Sequence, residues 1–230
     1  AKNMKSVIEI CLNGEVHHID DVRPDTTLLN WLRLSAKKTG TKEGCAEGDC
    51  GACTVFMRLQ RPDASGRLVD EMRAVNACIL FMPMLDGAVI VTVEGIAGPE
   101  GELHPVQQAM VDHHGAQCGF CTPGFITSLY HLWRDKRVLD DQEIDDALAG
   151  NLCRCTGYGP IVKAAKSLTD YQSPAWERAR LDTEDAFLAA YHKGDESLAI
   201  KAEGQHFYAP RTTAETARLL AEYEGAQILS

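Results

Sequence analysis

The residues with the clearest chemistry are four cysteines in the N-terminal part of the chain. Cys45, Cys50 and Cys53 follow the pattern C-x4-C-x2-C, and Cys78 lies further along. This is the spacing of plant-type [2Fe–2S] sites, in which four thiolates hold two irons that exchange one electron at a time. Zinc usually takes two C-x2-C pairs, so three cysteines on one loop fit zinc poorly. The pattern predicts a [2Fe–2S] cluster on these four residues.

The loop that carries the first three cysteines, GTKEGCAEGDCGACTV at 40–55, is rich in glycine. Gly44, Gly48 and Gly51 would allow positive φ angles, so that the chain can fold around a compact anionic group. Backbone N–H groups can then point at the sulfurs and stabilise their charge. The composition of the loop supports the iron–sulfur interpretation.

A second set of four cysteines follows in two pairs. Cys118 and Cys121 form a C-x2-C pair in QCGFCTPG, and Cys153 and Cys155 form a C-x-C pair in GNLCRCTGYGPIV. Each pair precedes a predicted helix, whose free N–H groups and positive dipole end suit a tetrathiolate site. Four thiolates also bind zinc, and the spacing alone leaves that alternative open. The neighbouring first site favours a second [2Fe–2S] cluster, because a second redox centre extends an electron path.

The other potential ligands carry weaker signals. Cys11 lies on a predicted strand outside any cluster spacing, so we expect it to be a buried small apolar side chain. The pairs His17-His18 and His113-His114 lack the C-x-H spacing of a Rieske site and are predicted to be surface or cap residues. Disulfides are not expected, since 230 residues with 45% apolar side chains can build a core without them.

The segment that must position the first site, 1–94, is predicted to be a small α+β unit. VIEICL and EVHHI flank Asn13-Gly14, a common two-residue hairpin turn. Asp25 and Thr26 are predicted to cap a short helix with an apolar face, and further strands follow the cysteine loop.

The second site falls in a predicted helical unit, 95–172. Pro105, Pro123 and Pro160 stand where first helical turns are expected, and DDQEIDDALAGN begins with acidic capping residues. Four short helices with tight connections predict a small four-helix unit.

The C-terminal part is predicted to be less regular. Residues 173–205 are charged and weakly periodic, as in a linker with some helix. Thr212 and Glu215 have capping-box spacing before an apolar stripe, and Gln227 begins an expected strand. Residues 206–230 alone cannot bury their apolar face, so they are predicted to open a further domain.

Composition and charge argue against several classes of function. A net charge of −10 argues against a nucleic-acid partner, since phosphate binding needs a basic face. No apolar run is long enough to predict a membrane span, and the N-terminus lacks the pattern of a secretory signal. A cytoplasmic protein is expected.

Three cysteine-bearing motifs, GTKEGCAEGDCGACTV, LHPVQQAMVDHHGAQCGFCTPGF and GNLCRCTGYGPIV, resemble the iron–sulfur region of the molybdenum hydroxylases, or xanthine oxidase family. The resemblance covers about residues 5–170 and fills all eight ligand positions. It is strongest to the iron–sulfur/FAD small subunit of two-chain bacterial xanthine dehydrogenases. It implies a plant-type ferredoxin β-grasp domain, then a helical [2Fe–2S] domain, then the start of an α+β FAD-type domain.

The resemblance also implies roles for individual residues. The first four cysteines would hold the solvent-side cluster, and the second four the cluster beside the molybdenum cofactor. Gln117 and Cys155 would lie against the pterin of that cofactor, which a large partner subunit binds. No residue of this chain would act as a nucleophile or general base.

The implied function is electron transfer in a purine-oxidising enzyme, from molybdenum through two clusters to FAD and then NAD+. The tail from His206 resembles the start of the FAD domain and stops before its glycine-rich loop, so the chain as given is not expected to bind FAD. A heterotetramer or larger assembly with the molybdenum subunit is expected. The alternatives are a small subunit for aldehyde, N-heterocycle or carbon monoxide oxidation and, in a different class, a zinc-binding interaction module.

Overall fold

The N-terminal unit is built on a five-stranded mixed sheet. The structure is a computed structural model that describes residues 4–135, 140–192 and 196–229. The strands are β1 (Ile8–Leu12), β2 (Glu15–Ile19), β3 (Thr54–Pro62), β4 (Leu68–Asn76) and β5 (Val89–Val91). Their order in the sheet is β2-β1-β5-β3-β4; β1 is parallel to β5, and the other neighbours are antiparallel. This sheet matches the predicted β-grasp α+β fold.

The predicted hairpin and the predicted burial of Cys11 are both present. Leu12 pairs with Glu15, and Asn13 and Gly14 take φ angles of 52° and 87°. A type I′ turn requires positive φ at both central residues, which Asn and Gly tolerate best. Cys11 is fully buried on β1, on the sheet face that packs against the helical unit.

The first helix has a different cap from the one predicted. Helix α1 (Leu28–Asn30) continues as a π-helical turn to Ser35 and packs its apolar face against the sheet. Its capping side chain is Thr27, whose hydroxyl accepts from the Asn30 amide at 3.2 Å, so the prediction of Asp25 and Thr26 was wrong. Thr27 has that role because it is the last residue with extended backbone before the helix.

Replacing the observed cap should loosen this helix locally. A threonine N-cap is worth about 1 kcal/mol, roughly a fivefold change in a local opening equilibrium. We expect Thr27→Ala to speed hydrogen exchange at the start of α1 by about that factor, measured by mass spectrometry of the corresponding peptide. Thr26→Ala is the matched control and should leave the rate unchanged. Equal acceleration in both variants would contradict the assignment.

The helical unit begins its helices close to the predicted positions. Its helices are α2 (Val93–Ile96), α3 (Pro105–Asp112), α4 (Thr122–Asp135), α5 (Asp141–Leu148) and α6 (Gly159–Lys166). Three predicted prolines lie in first turns, at the first position of α3 and the second position of α4 and α6. Proline is tolerated there because the first-turn N–H groups have no partner within the helix. Helices α3 to α6 form the predicted four-helix unit.

Of the two hydrophobic clusters among the described residues, one extends across both units. Helix α4 lies against β3, and the Thr127 hydroxyl donates to the Thr54 carbonyl at 2.8 Å. Phe56 of β3 and Tyr130 of α4 are fully buried, and their rings meet edge to face with centroids 5.2 Å apart. Burying large aromatic rings stabilises such contacts strongly. The packing therefore holds the two cysteine-bearing units directly together.

Regular elements occupy much of the range predicted as a linker. They are α7 (Glu177–Tyr191) and β6 (Leu198–Ala202). Strand β7 (Gln205–Ala209) begins at the last residue of that range, and α8 (Thr213–Glu222) lies beyond it. Strands β6 and β7 form an antiparallel hairpin, so the predicted boundary between 205 and 206 falls inside that hairpin. Thr212 caps α8 as predicted, whereas residues 227–229 form no strand. Within the described ranges, no helix is both long and apolar enough to cross a membrane.

Candidate iron–sulfur sites

Strand pairing brings two cysteines of the first site together. Cys53 immediately precedes β3 and Cys78 follows β4, and these strands pair with Thr54 opposite Asn76. The Ala77 amide donates to the Cys53 carbonyl at 3.2 Å and extends the pairing past the strand ends. Both side chains are buried, with exposures of 3% and 7%. The sheet register therefore positions this half of the site.

Backbone amides of the cysteine loop point at sulfurs of the same site. The Gly48 amide donates to Cys78 Sγ at 3.2 Å. Three amides donate to Cys45 Sγ at distances of 3.3 to 3.5 Å, those of Glu47, Asp49 and Cys50. Convergent N–H groups of this kind form a nest that stabilises negative charge. The loop is thus arranged to receive an anionic sulfur site.

The three loop glycines serve two different purposes. Gly48 and Gly51 have φ angles of +84° and +70°, as predicted. Gly44 does not have a positive φ, so the prediction was wrong at that position. A Cβ atom on Gly44 would lie 2.8 Å from Cys50 Sγ, so glycine is needed there for space beside the sulfur.

The thiols of the first site differ in their affinity for protons. Hydrogen bonds from the amides of Glu47, Cys50 and Asp49 lower the pKa of Cys45 to about 7. Burial raises the pKa of Cys53 to about 12, and the neighbouring thiol of Cys78 adds to the increase. A buried thiol of this kind becomes a thiolate when a bound metal cation supplies the compensating charge. The donor set therefore fits a metal ligand role.

The second site joins two turns that precede helices. Cys118 and Cys121 lie just before α4, and Cys153 and Cys155 lie in the turn before α6. The amide of Phe120 and a hydrogen bond with Cys155 lower the pKa of Cys118. Burial raises the pKa of Cys121 to about 12, and its contact with Cys153 adds to the increase. The structure thus brings together two pairs, Cys118 with Cys155 and Cys121 with Cys153.

Two further residues support this turn and had no signal in the cysteine spacing. The Thr156 hydroxyl lies 3.1 Å from Cys153 Sγ, and the Cys153 amide donates to the Tyr158 hydroxyl at 3.0 Å. Burial alone would raise the pKa of Cys153, but hydrogen bonds from the Thr156 hydroxyl and amide lower it overall. Thr156 and Tyr158 therefore orient Cys153 in its turn.

The two cysteine loops are in direct contact. The Leu152 amide donates to the Cys50 carbonyl at 3.0 Å. The buried Asn151 side chain donates from Nδ2 to the Gly51 carbonyl at 3.0 Å and to the Thr54 hydroxyl at 3.1 Å. Its Oδ1 atom accepts from the Ser128 hydroxyl at 2.7 Å. Asn151 was not predicted as a site residue, because its partners lie far away in the sequence.

The cysteine thiols approach one another in pairs and do not surround a single point. Among the described residues, no three His, Cys, Asp or Glu side chains converge as ligands of a single metal ion. A binuclear iron–sulfur cluster distributes its thiolates over two irons, so its ligands can approach in pairs. All nine cysteines are free of disulfide bonds. The chemistry of both donor sets fits [2Fe–2S] clusters.

Comparison with known proteins identifies the family. A 2Fe-2S iron-sulfur cluster binding domain matches residues 10–82, and a [2Fe-2S] binding domain matches residues 92–166. Aldehyde oxidase 2 of Cavia porcellus is 44% identical over 161 residues, and xanthine dehydrogenase of Drosophila subobscura is 43% identical over 164 residues. These alignments cover 70% and 71% of this chain. The chain belongs to the molybdenum hydroxylase family.

Within that family, the chain corresponds to the iron–sulfur region. It spans only 12% of the length of each of the two relatives just named. A solved structure of the aldehyde oxidoreductase from Desulfovibrio gigas matches with a TM-score of 0.61 and 36% identity, over 74% of this chain and 19% of that one. The quinoline 2-oxidoreductase of Pseudomonas putida 86 matches with a TM-score of 0.56 and 29% identity, over 82% of this chain and 96% of that one. The predictions of the family and of the fold class are confirmed.

The residues predicted to face the molybdenum cofactor lie on the surface. Gln117 and Cys155 are both exposed, and Gln117 directly precedes Cys118, which is the partner of Cys155. The second site is therefore open to the surface on this side. On its inner side, Cys153 is buried.

Proposed function

We propose that this chain is the electron-transfer part of a xanthine dehydrogenase, working between a molybdenum cofactor on a large partner subunit and FAD, with NAD+ as the final acceptor. The observation that carries the proposal is the direct contact between the loop that carries Cys50 and the turn that carries Cys153, which lets one proposed cluster lie beside the other. When bound, a [2Fe–2S] cluster supplies a one-electron redox couple, whose potential depends on hydrogen bonds to sulfur, net charge and exposure.

The residues of the first site would bind, orient and shield its cluster. Cys45, Cys50, Cys53 and Cys78 are its proposed ligands, and the loop amides orient their sulfurs. Burial of Cys53 and Cys78 excludes water from one side. The carboxylates of Glu47 and Asp49 are exposed on the other side, which agrees with a solvent-side position.

The residues of the second site would place its cluster at a surface. Cys118, Cys121, Cys153 and Cys155 are its proposed ligands. Gln117 and Cys155 are proposed to meet the pterin of the partner's molybdenum cofactor, since both are exposed beside the site. The task of this chain is ligation and positioning rather than acid–base chemistry.

The same chain region occurs in relatives of very different length, and this supports a multi-domain or multi-subunit assembly. The chain covers 96% of the quinoline 2-oxidoreductase chain but 12% of the Drosophila xanthine dehydrogenase. We infer a heterotetramer or larger assembly, with the FAD domain as a continuation of this chain or a separate piece. The proposed domains remain 1–94, 95–172 and 206–230, joined by 173–205.

Loss of individual ligands tests the iron–sulfur assignment. The parent protein, purified with its partners, should hold about four irons per chain and show two distinct EPR signals after reduction. Cys45→Ser and Cys118→Ser should each remove a different one of these signals, because each variant lacks one ligand of one site. Cys11→Ala is the control and should keep both. Zinc in place of iron would contradict the proposal and favour the zinc-binding module.

Aldehyde oxidation is the second candidate function. The aldehyde oxidase and xanthine dehydrogenase relatives are equally similar to this chain, and the substrate pocket is expected on the partner chain. Turnover by the complete enzyme separates the two, with kcat/KM measured for xanthine and for an aromatic aldehyde. A higher value for xanthine is expected, and a higher value for the aldehyde would overturn this choice of substrate.

A further inference from the structure

Helix α7 buries charged side chains along one face. Glu177, Arg180, Glu184 and Asp185 lie on this face, which we call the charged face of α7. Glu184 is completely buried and Glu177 is 4% exposed. Carboxylates are almost never fully buried unless they are paired. The residues that pair with these charges therefore show which parts of the protein α7 connects.

The N-terminal half of the charged face is bound to the helical unit. Glu177 Oε1 lies 3.0 Å from His104 Nε2 at the start of α3, and it accepts from Trp133 Nε1 of α4 at 3.1 Å. The Arg180 guanidinium donates to the Ile96 carbonyl at 3.2 Å. This half of α7 therefore moves with the unit that contains the second cysteine site.

In the middle of α7, Glu184 contacts one arginine from each unit. Glu184 Oε2 lies 2.9 Å from Arg134 of α4 and 3.7 Å from Arg58 of β3. Arg58 also pairs with Asp185 at 2.7 Å, and with Asp70 of β4 at 2.8 Å. Both guanidinium groups are largely buried. A single turn of α7 thus neutralises charges from the sheet unit and from the helical unit together.

The C-terminal end of the helix is bound to the sheet unit. The Tyr191 hydroxyl donates to Asp86 Oδ2 at 2.7 Å, and Lys5 Nζ lies 4.7 Å from the centroid of the Tyr191 ring. The ring packs over Gly87, where any Cβ atom would overlap it. Helix α7 therefore spans both units along its length.

A buried ion network of this kind specifies geometry more than it adds stability. Replacing a complete buried pair by apolar groups is often neutral, whereas removing one partner leaves an uncompensated charge and is costly. The pairing of Glu184 with both arginines is satisfied only when the two units have the observed relative position. A shift of the sheet unit away from α7 would separate Arg58 from Glu184 and Asp185, and would leave buried charges with fewer partners.

We propose that Glu184 is a positioning residue that fixes the sheet unit and the helical unit in one relative orientation, and so fixes the separation of the two cysteine sites. This inference rests on the proposed function, because the rate of electron transfer falls steeply with the distance between centres. The charged face of α7 then determines the distance between the two sites, which neither cysteine loop determines alone.

The experiment uses the complete enzyme with both clusters reduced and measures the magnetic interaction between them by EPR, together with hydrogen exchange in α7. Glu184→Gln keeps the side-chain shape and removes the charge. We expect unchanged iron content and unchanged individual g-values, an altered spin–spin splitting, and at least tenfold faster exchange in α7. Asp182→Asn is the matched control, since Asp182 is exposed and pairs only with Arg178 on the outer face within the described contacts. It should change none of these quantities.

The outcomes separate this inference from the proposed function. A splitting and an exchange rate in Glu184→Gln equal to those of Asp182→Asn would overturn the positioning role. If Glu184→Gln does not accumulate, Asp185→Asn provides the test, because Asp185 is half exposed and its loss should produce a smaller change in the same direction. A parent enzyme that lacks two iron–sulfur signals would overturn the proposed function, and this inference with it.

Discussion

Gly51→Ala is expected to separate the two cysteine loops and to lower the iron content of both sites. Gly51 has a φ angle of +70°, and a Cβ atom there would overlap the carbonyl oxygen of Gly150 and lie 2.7 Å from Asn151 Nδ2. The left-handed conformation alone costs roughly 1–2 kcal/mol for a residue with a side chain. The overlap with backbone adds to this cost, because backbone cannot rotate away as a flexible side chain can. The measurements are iron per chain and the midpoint of thermal unfolding.

A matched control isolates the close approach from the backbone strain. Gly66 in the turn between β3 and β4 has a φ angle of +83°, and nothing lies within 4 Å of a Cβ atom built there. Gly66→Ala should therefore have only the conformational cost and keep its full iron content. If Gly51→Ala loses no more iron and no more thermal stability than Gly66→Ala, the close approach of Gly51 to Gly150 does not contribute to iron binding or to stability.

Asn151→Leu is expected to have a similarly large effect through lost hydrogen bonds. Leucine has nearly the same volume but removes three hydrogen bonds of Asn151. The Ser128 hydroxyl loses its observed acceptor, while the Gly51 carbonyl and the Thr54 hydroxyl each lose one bond and keep the bond between them. A lost hydrogen bond costs about 1 kcal/mol, and a buried polar group left unsatisfied costs about 1–3 kcal/mol. The variant should therefore lose several kcal/mol of stability and part of its iron, measured by urea unfolding and metal analysis. The second site should lose more iron than the first, because Asn151 lies two residues before Cys153.

The control for this prediction removes only one of the bonds. Ser128→Ala leaves both Nδ2 bonds of Asn151 intact and removes only the donor to its Oδ1 atom, so it should cost about 1–3 kcal/mol and keep both sites loaded. An effect of Ser128→Ala as large as that of Asn151→Leu would show that the hydroxyl, rather than the contact between the loops, supports the structure.

The local features of the fold were predictable because their causes are local. The Asn13-Gly14 turn and the prolines in three first helical turns each act within a few residues of themselves. The prediction of the first cysteine site rests on an equally local feature, since three of its cysteines lie on one short loop. The cap at Thr27 was missed because three adjacent residues, Asp25 to Thr27, all have side chains able to cap, and only the backbone path decides among them.

The sequence predicted only some helix in 173–205, whereas α7 alone has 15 residues and packs against both units, and the reason for this difference is physical. Prediction of a packed helix relies on an apolar stripe, and the buried face of α7 combines Phe187 and Leu188 with carboxylates and an arginine. Those charges are stable there only because Arg58, Arg134 and His104 meet them from distant parts of the chain. No pattern within α7 itself could reveal those partners.

Short stretches of sequence were enough to predict the chemistry of this protein, because eight cysteines occur in two characteristic spacings and their motifs point to one family. The relation between the two sites, in contrast, depends on how the chain folds. The bond from Leu152 to Cys50, the place of Asn151 between the loops, and the double pairing of Glu184 join segments far apart in the chain. The spacing of the ligands depends on a few neighbouring residues, whereas the separation of the two sites depends on the packing of the sheet against the helices. That packing depends on the shapes and charges of side chains from distant parts of the chain.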